Sequence, residues 1–109
     1  MGKSAGVSES VGDIYATHAE VCAVFSNPAR LELLDLLGKG EKSVGELTKL
    51  SGLSQANVSQ HLAIMRYKGV VLARKKGKNV YYRLADSRII KAFKIIRRVI
   101  AERMKRFKR

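Results

Sequence analysis

The 109-residue chain holds one cysteine, one proline and no tryptophan, and aromatic residues make up only 6% of it. A lone thiol, Cys22, forms no internal disulfide and by itself builds no zinc site. No run of about 18 apolar residues occurs, which argues against a membrane-spanning helix. Met1 to Ser10 are polar and lack the apolar centre of a secretory signal. The cytoplasm is the expected location. Also missing are paired carboxylates on a plausible cleft, a nucleophile–base motif and a phosphate-binding glycine loop. No enzymatic activity and no cofactor are therefore expected.

Acidic residues are scarce where basic ones crowd. The net charge is +13. Residues 1–65 carry 5 basic and 7 acidic side chains, residues 66–85 carry 7 basic and none acidic, and residues 86–109 carry 10 basic and 2 acidic. Solubility alone does not require one sign to cluster in this way. Such a distribution is the electrostatic footprint of a polyanion binder.

Met1 to Ser10 read as a mobile tail, and residues 11–109 as one domain without repeats or linkers. Val11 to Phe25 have helical spacing of apolar residues. Asn27 suits the cap of a second helix, and Pro28 its first position, where a missing N–H costs nothing. That helix carries Leu31, Leu33, Leu34, Leu36 and Leu37 around most of its circumference, which marks it as the central one, and it stops at Gly38 or Gly40. Ser43-Val44-Gly45-Glu46 has the spacing of a capping box opening a short helix to Leu50. Gly52 allows a left-handed turn, and Ser54 caps a further helix over Gln55 to Tyr67 that ends at Gly69. Two short helices joined by a glycine turn form a helix-turn-helix. Val70 to Ala73 and Val80 to Leu84 are β-prone and flank the loop Arg74-Lys75-Lys76-Gly77-Lys78-Asn79, the pattern of a hairpin. A last helix is expected from about Arg88 to Lys105, capped by Asp86 or Ser87. The fold class is thus mainly α with a small β-hairpin: a winged helix-turn-helix of about five helices and a two-stranded wing.

On the helix Gln55 to Tyr67, Val58, Leu62 and Met65 share the core-facing side. The N-terminal cap and the opposite side present Ser54, Gln55, Ala56, Asn57, Ser59 and Gln60, with Ala63 beyond them. This face is small and polar and has no carboxylate. It fits a major groove about 12 Å wide, where Gln60 suits a bidentate pair with adenine and Ala56 a thymine methyl. Arg74, Lys75, Lys76 and Lys78, with Asn79, crowd the hairpin without a carboxylate, an arrangement that a phosphate backbone would stabilise. These contacts are expected to position the protein, while the helix specifies sequence.

The stretches FSNPARLELLDLL, SVGELTKLSGLSQANVSQHLAIMRYKGVV and ARKKGKNVYYRL resemble the ArsR/SmtB family of winged-helix repressors over about 60 of the 109 residues. The resemblance implies five helices and one hairpin, an obligate dimer, and operator binding relieved by an inducer, whose identity is unknown here. It also implies metal-sensing positions. One thiolate pair of the family falls on Ser43 and Gly45. A second set falls on Asp86, Arg88, Val99 and Glu102. No thiolate or imidazole stands at any of them, so no metal is expected at either place.

His18 and Cys22 share a helix face, as residues four apart do. Reactivity or half a metal site is one reading of such a pair. Packing is the preferred reading, because Cys22 falls in the apolar stripe between Val21 and Phe25. His61 is expected at the core edge, held by a hydrogen bond. On the last helix Ile89, Phe93, Ile96, Ile100, Met104 and Phe107 form one stripe, opposite Lys91, Lys94, Arg98, Lys105 and Arg109. A basic amphipathic helix can also lie on an anionic membrane, but that leaves the helix-turn-helix unexplained. The favoured partner is a second copy, with Ile14, His18, Cys22, Phe93, Ile96, Ile100 and Met104 at the interface and no membrane involved. A homodimer places two recognition helices about one turn of duplex apart, on a pseudo-palindromic operator of double-stranded DNA. The alternative is a non-specific, architectural nucleic-acid binder.

Overall fold

The structure, a computed structural model, describes residues 13–107. The expected tail over Met1 to Ser10, the start of the first helix at Val11 and the cation Arg109 lie outside the described residues, as does the side chain of Phe107. Five helices and three strands follow in the order α1 (Ile14–Val24), α2 (Pro28–Leu37), β1 (Lys42–Ser43), α3 (Val44–Ser51), α4 (Gln55–Tyr67), β2 (Val71–Lys76), β3 (Asn79–Leu84) and α5 (Arg88–Phe107). This is the expected winged helix-turn-helix, with one strand more than expected. β1 pairs antiparallel with β3, Lys42 opposite Tyr82 and Ser43 opposite Tyr81, giving a sheet of order β1-β3-β2.

Local chemistry explains most boundaries. The Asn27 side chain accepts a hydrogen bond from the Arg30 N–H, and Pro28 occupies the first turn of α2. At α3 the capping box is complete: Ser43 Oγ accepts from the Glu46 N–H at 3.2 Å, and Glu46 Oε1 accepts from the Ser43 N–H at 2.8 Å. Gly52 ends α3 at φ 78°, a left-handed conformation in which a side chain would be strained. Ser54 Oγ then accepts from the Asn57 N–H at the start of α4.

The core lies where α2, α3, α4 and the sheet meet. Leu33 and Leu34 of α2, Leu47 of α3, Val58, Leu62 and Met65 of α4 and Val71 of β2 are completely buried. α2 is central as expected, with Leu37 also buried and Leu31 and Leu36 packed at the margin. α5 closes one side through buried Ile90 and half-buried Ile89 and Phe93. Phe93 meets Phe25 edge to face, with ring centroids 4.7 Å apart. An ion pair from Arg97 to Asp35, with N–O distances of 2.8 and 2.9 Å, fastens α5 to α2.

Two expectations about packing and strand extent are corrected. Cys22 does not pack in the protomer's core; it is exposed. Helical spacing places Cys22 beside Val21 and Phe25, but α1 touches the core only through its last turn, at Val21, Val24 and Phe25. The loop expected from Arg74 to Asn79 is almost entirely strand. Arg74 pairs with Tyr81, Lys75 with Val80 and Lys76 with Asn79, which leaves Gly77-Lys78 as the turn. Gly77 has φ 64° at the first of these two positions, where a two-residue hairpin needs positive φ.

Arg30 ties the start of α2 to its neighbours. Its Nη1 donates to the Val24 carbonyl at 3.1 Å, and its Nε donates to His61 Nδ1 on α4 at 3.2 Å. His61 is therefore half-buried and hydrogen-bonded, as expected, and Nδ1 must be unprotonated to accept. Burial, and secondarily the Arg30 charge, hold the imidazole below its ordinary value of 6.5. The folded state thus binds this proton less readily than the unfolded chain. The stabilising contribution is present above about pH 6.5 and is lost as pH falls through the depressed value. Thermal melting between pH 7.5 and 5.5 should show the wild type losing more stability than His61→Gln, whose amide oxygen still accepts from Arg30. Parallel pH profiles would refute this.

Candidate nucleic-acid interface

The burial of Val58, Leu62 and Met65 turns the other side of α4 outward. Gln55, Ala56, Asn57, Ser59, Gln60 and Ala63 are all exposed, and Ser54 stands exposed at the N-terminus of the helix. The outward face therefore combines amides, hydroxyls and methyl groups with no carboxylate. The first-turn N–H groups of α4 add partial positive charge at that end.

Pairing with β3 carries the basic segment outward as a ribbon, with Lys75, Lys76, Lys78 and Asn79 exposed near its tip. Alternation along the strands separates these residues. Leu72, Arg74 and Lys76 share one face with Asn79, Tyr81 and Arg83, while Val71, Tyr82 and Leu84 on the other face pack on the core. The expectation of a hairpin free of carboxylates is corrected at Arg74. Its Nε donates to Glu41 Oε2 and its Nη2 to Glu41 Oε1, both at 2.8 Å. Its guanidinium also lies 5.7 Å from the Tyr81 ring centroid. The hydrogen bonds from Arg74 hold the Glu41 carboxyl below its ordinary range, and the charges of Arg83 and Lys76 act in the same direction. The sequence offers no local sign of this contact, because Glu41 and Arg74 are 33 positions apart. Among the described residues Lys75, Lys76 and Lys78 form no ion pair.

The residues expected at an interface between copies divide into two groups. Ile14, His18 and Cys22 on α1 and Ile96, Ile100 and Met104 on α5 are exposed in the protomer, whereas Phe93 is held against Phe25. Ile95 and Val99, which the sequence stripe omits, are also exposed and widen the apolar face of α5. No helix among the described residues is long and apolar enough to cross a membrane.

The sequence model described as "Bacterial regulatory protein, arsR family" matches residues 27–72, from the cap of α2 into β2. The chain is 37% identical over 89 residues to the uncharacterized HTH-type transcriptional regulator Rv0081 of Mycobacterium tuberculosis, spanning 81% of this chain and 78% of that protein. It belongs to the arsR family. A second relative, a biofilm growth-associated repressor of Xylella fastidiosa, is 39% identical over 70 residues, covering 64% of this chain and 61% of the repressor. Among solved structures, the homodimeric winged helix-turn-helix DNA-binding domain of Mb0332 from Mycobacterium bovis, a possible ArsR-family regulator, superposes with a TM-score of 0.77 at 28% identity. That superposition covers 97% of this chain and 98% of that one.

The metal positions that the arsR resemblance implies do not fit a metal here. Ser43 is committed to the capping box, and Gly45 has no side chain. Arg88 grips Asp86 through Nη2 at 2.7 Å and Nε at 3.1 Å, and the Arg88 N–H donates to the same carboxylate at 2.9 Å. Those hydrogen bonds hold the Asp86 carboxyl down to about 2. Val99 contributes only an apolar side chain.

Proposed function

We propose that this arsR-family protein is a sequence-specific regulator of transcription. In this reading it binds double-stranded DNA as a homodimer on a pseudo-palindromic operator, acts as a repressor, and lacks the family's metal sites and any catalytic role. One observation carries the reading: α4 buries Val58, Leu62 and Met65 completely and exposes a small, polar, carboxylate-free face beside a basic ribbon. Ser54 to Asn57, Ser59 and Gln60 are assigned to the major groove. Lys75, Lys76, Lys78 and Asn79 are assigned to the phosphate backbone or minor groove. The homodimeric DNA-binding neighbour from Mycobacterium bovis and the Xylella repressor support the assembly and the sign of regulation.

The net charge of +13 favours a second reading, an architectural binder indifferent to sequence. Selection of bound duplexes from a random pool at near-physiological salt separates the two. A regulator enriches one inverted repeat, with half-sites centred about 10 base pairs apart. Equal affinity for selected and random duplexes would sink the specific reading. On the selected duplex, Gln60→Ala should lose about 1–3 kcal/mol of discrimination at one base position of each half-site. Lys76→Ala should instead weaken every duplex alike.

A further inference from the structure

On the outer face of the sheet, Arg74 presents two N–H groups side by side, and both are taken up by one carboxylate at 2.8 Å. This two-pronged arrangement is also how a guanidinium binds a phosphate group. Glu41 precedes β1, and β1 runs beside Tyr81, the residue directly across from Arg74. The pairing of β1 with β3 thus delivers a carboxylate to the β2 cation farthest from the tip of the wing. Both partners remain in reach of solvent, with side-chain exposures of 51% for Arg74 and 26% for Glu41. Among the described residues the lysines nearer the tip have no such partner.

We propose that Glu41 acts as an internal phosphate mimic: it withholds Arg74 from DNA and keeps the affinity of the wing below what its cations alone would give. The inference rests on the DNA-binding reading and adds a residue that sets its strength. Two effects act together. Glu41 engages the β2 cation whose fork geometry suits a phosphate, and it places a negative charge on a surface that approaches a polyanion. The charges of Arg83 and Lys76 also act on Glu41.

The test measures affinity against salt for a duplex recovered by selection and for a random duplex of equal length. Glu41→Gln should tighten both by about 3–10-fold at near-physiological salt. It should also steepen the slope of log K against log salt by about 1 per protomer. Arg74→Ala should reduce affinity far less in the wild type than in the Glu41→Gln background, a non-additive pair. An exposed ion pair contributes little to folding, and thermal melting of each variant checks this. Arg74→Lys in the Glu41→Gln background keeps the charge but loses the fork, and should retain the steeper slope with less gain in affinity. The proposal is overturned if Arg74→Ala in the wild type lowers the slope as much as Lys76→Ala does, because Arg74 then leaves Glu41 for phosphate. It is equally overturned if the wild type binds with a steep slope and Glu41→Gln changes nothing. Failure of the wild type to bind any duplex would instead overturn the DNA-binding reading itself.

Discussion

Raising the salt concentration from 50 to 200 mM is expected to weaken DNA binding by about 10³–10⁵-fold. Residues 66–85 hold seven basic side chains and no acidic ones, and pairing of β2 with β3 carries Lys75, Lys76 and Lys78 to the exposed tip of one ribbon. Each lysine that reaches a phosphate releases a condensed counterion, and release is disfavoured as bulk salt rises. Arg74 is removed from this count by Glu41, while Arg83 and the N-terminus of α4 are added to it. Two protomers then make about 6–10 phosphate contacts, and log K against log salt should have a slope between about −5 and −9. Fluorescence anisotropy across the salt range measures it. A slope shallower than about −2 would show that the wing does not lie on the backbone. Replacing all three lysines by alanine should flatten the slope by about 5 per dimer while leaving the preferred sequence unchanged.

The parts of this interface that the sequence makes legible are those fixed by neighbours in the chain. Asn27-Pro28, the Ser43–Glu46 capping box, Gly52 and Ser54 each act within four residues, and each is found where the spacing puts it. The two-sided character of α4 follows from the 3.6-residue repeat alone. What escapes the sequence is set by distant pairing. β1 is two residues long and exists because Lys42 and Ser43 lie along β3. Arg74 to Lys76 have little strand propensity of their own and are extended because Asn79 to Tyr81 pair with them. The fates of Arg74 and Arg97 are decided by Glu41, 33 positions away, and Asp35, 62 positions away. Cys22 shows the same limit in a helix. Periodicity says which residues share a face, and only tertiary contact says how much of that face the core covers.

That uncovered face leads to the second large effect. Replacing both Ile96 and Ile100 by glutamate is expected to turn the proposed dimer into monomers and to weaken operator binding by about 10²–10⁴-fold. α5 runs for 20 residues, but its contact with the protomer's core ends near Arg97. Beyond and beside that contact, Ile95, Ile96, Val99, Ile100 and Met104 are each about half exposed, and on α1 Ile14 is exposed to the same degree and Tyr15 more so. A contiguous apolar face of this kind on a small domain needs a partner. In the proposed homodimer a second copy supplies the same face through a two-fold axis, so each substitution enters the interface twice. Four unpaired carboxylates would then have to be buried, at several kcal/mol apiece. The dimer constant should weaken by at least about 10³-fold, equivalent to about 4 kcal/mol. Because Ile96 and Ile100 are exposed in the protomer, its core is left intact, and circular dichroism should show the helices retained at concentrations where sedimentation shows monomers. Operator affinity falls because the second half-site is no longer bound intramolecularly at an effective concentration in the millimolar range. A half-site duplex, which engages one protomer, should lose far less. If the double variant sediments as a dimer, or binds the full operator as tightly as the wild type, the apolar face of α5 is not what joins the two copies.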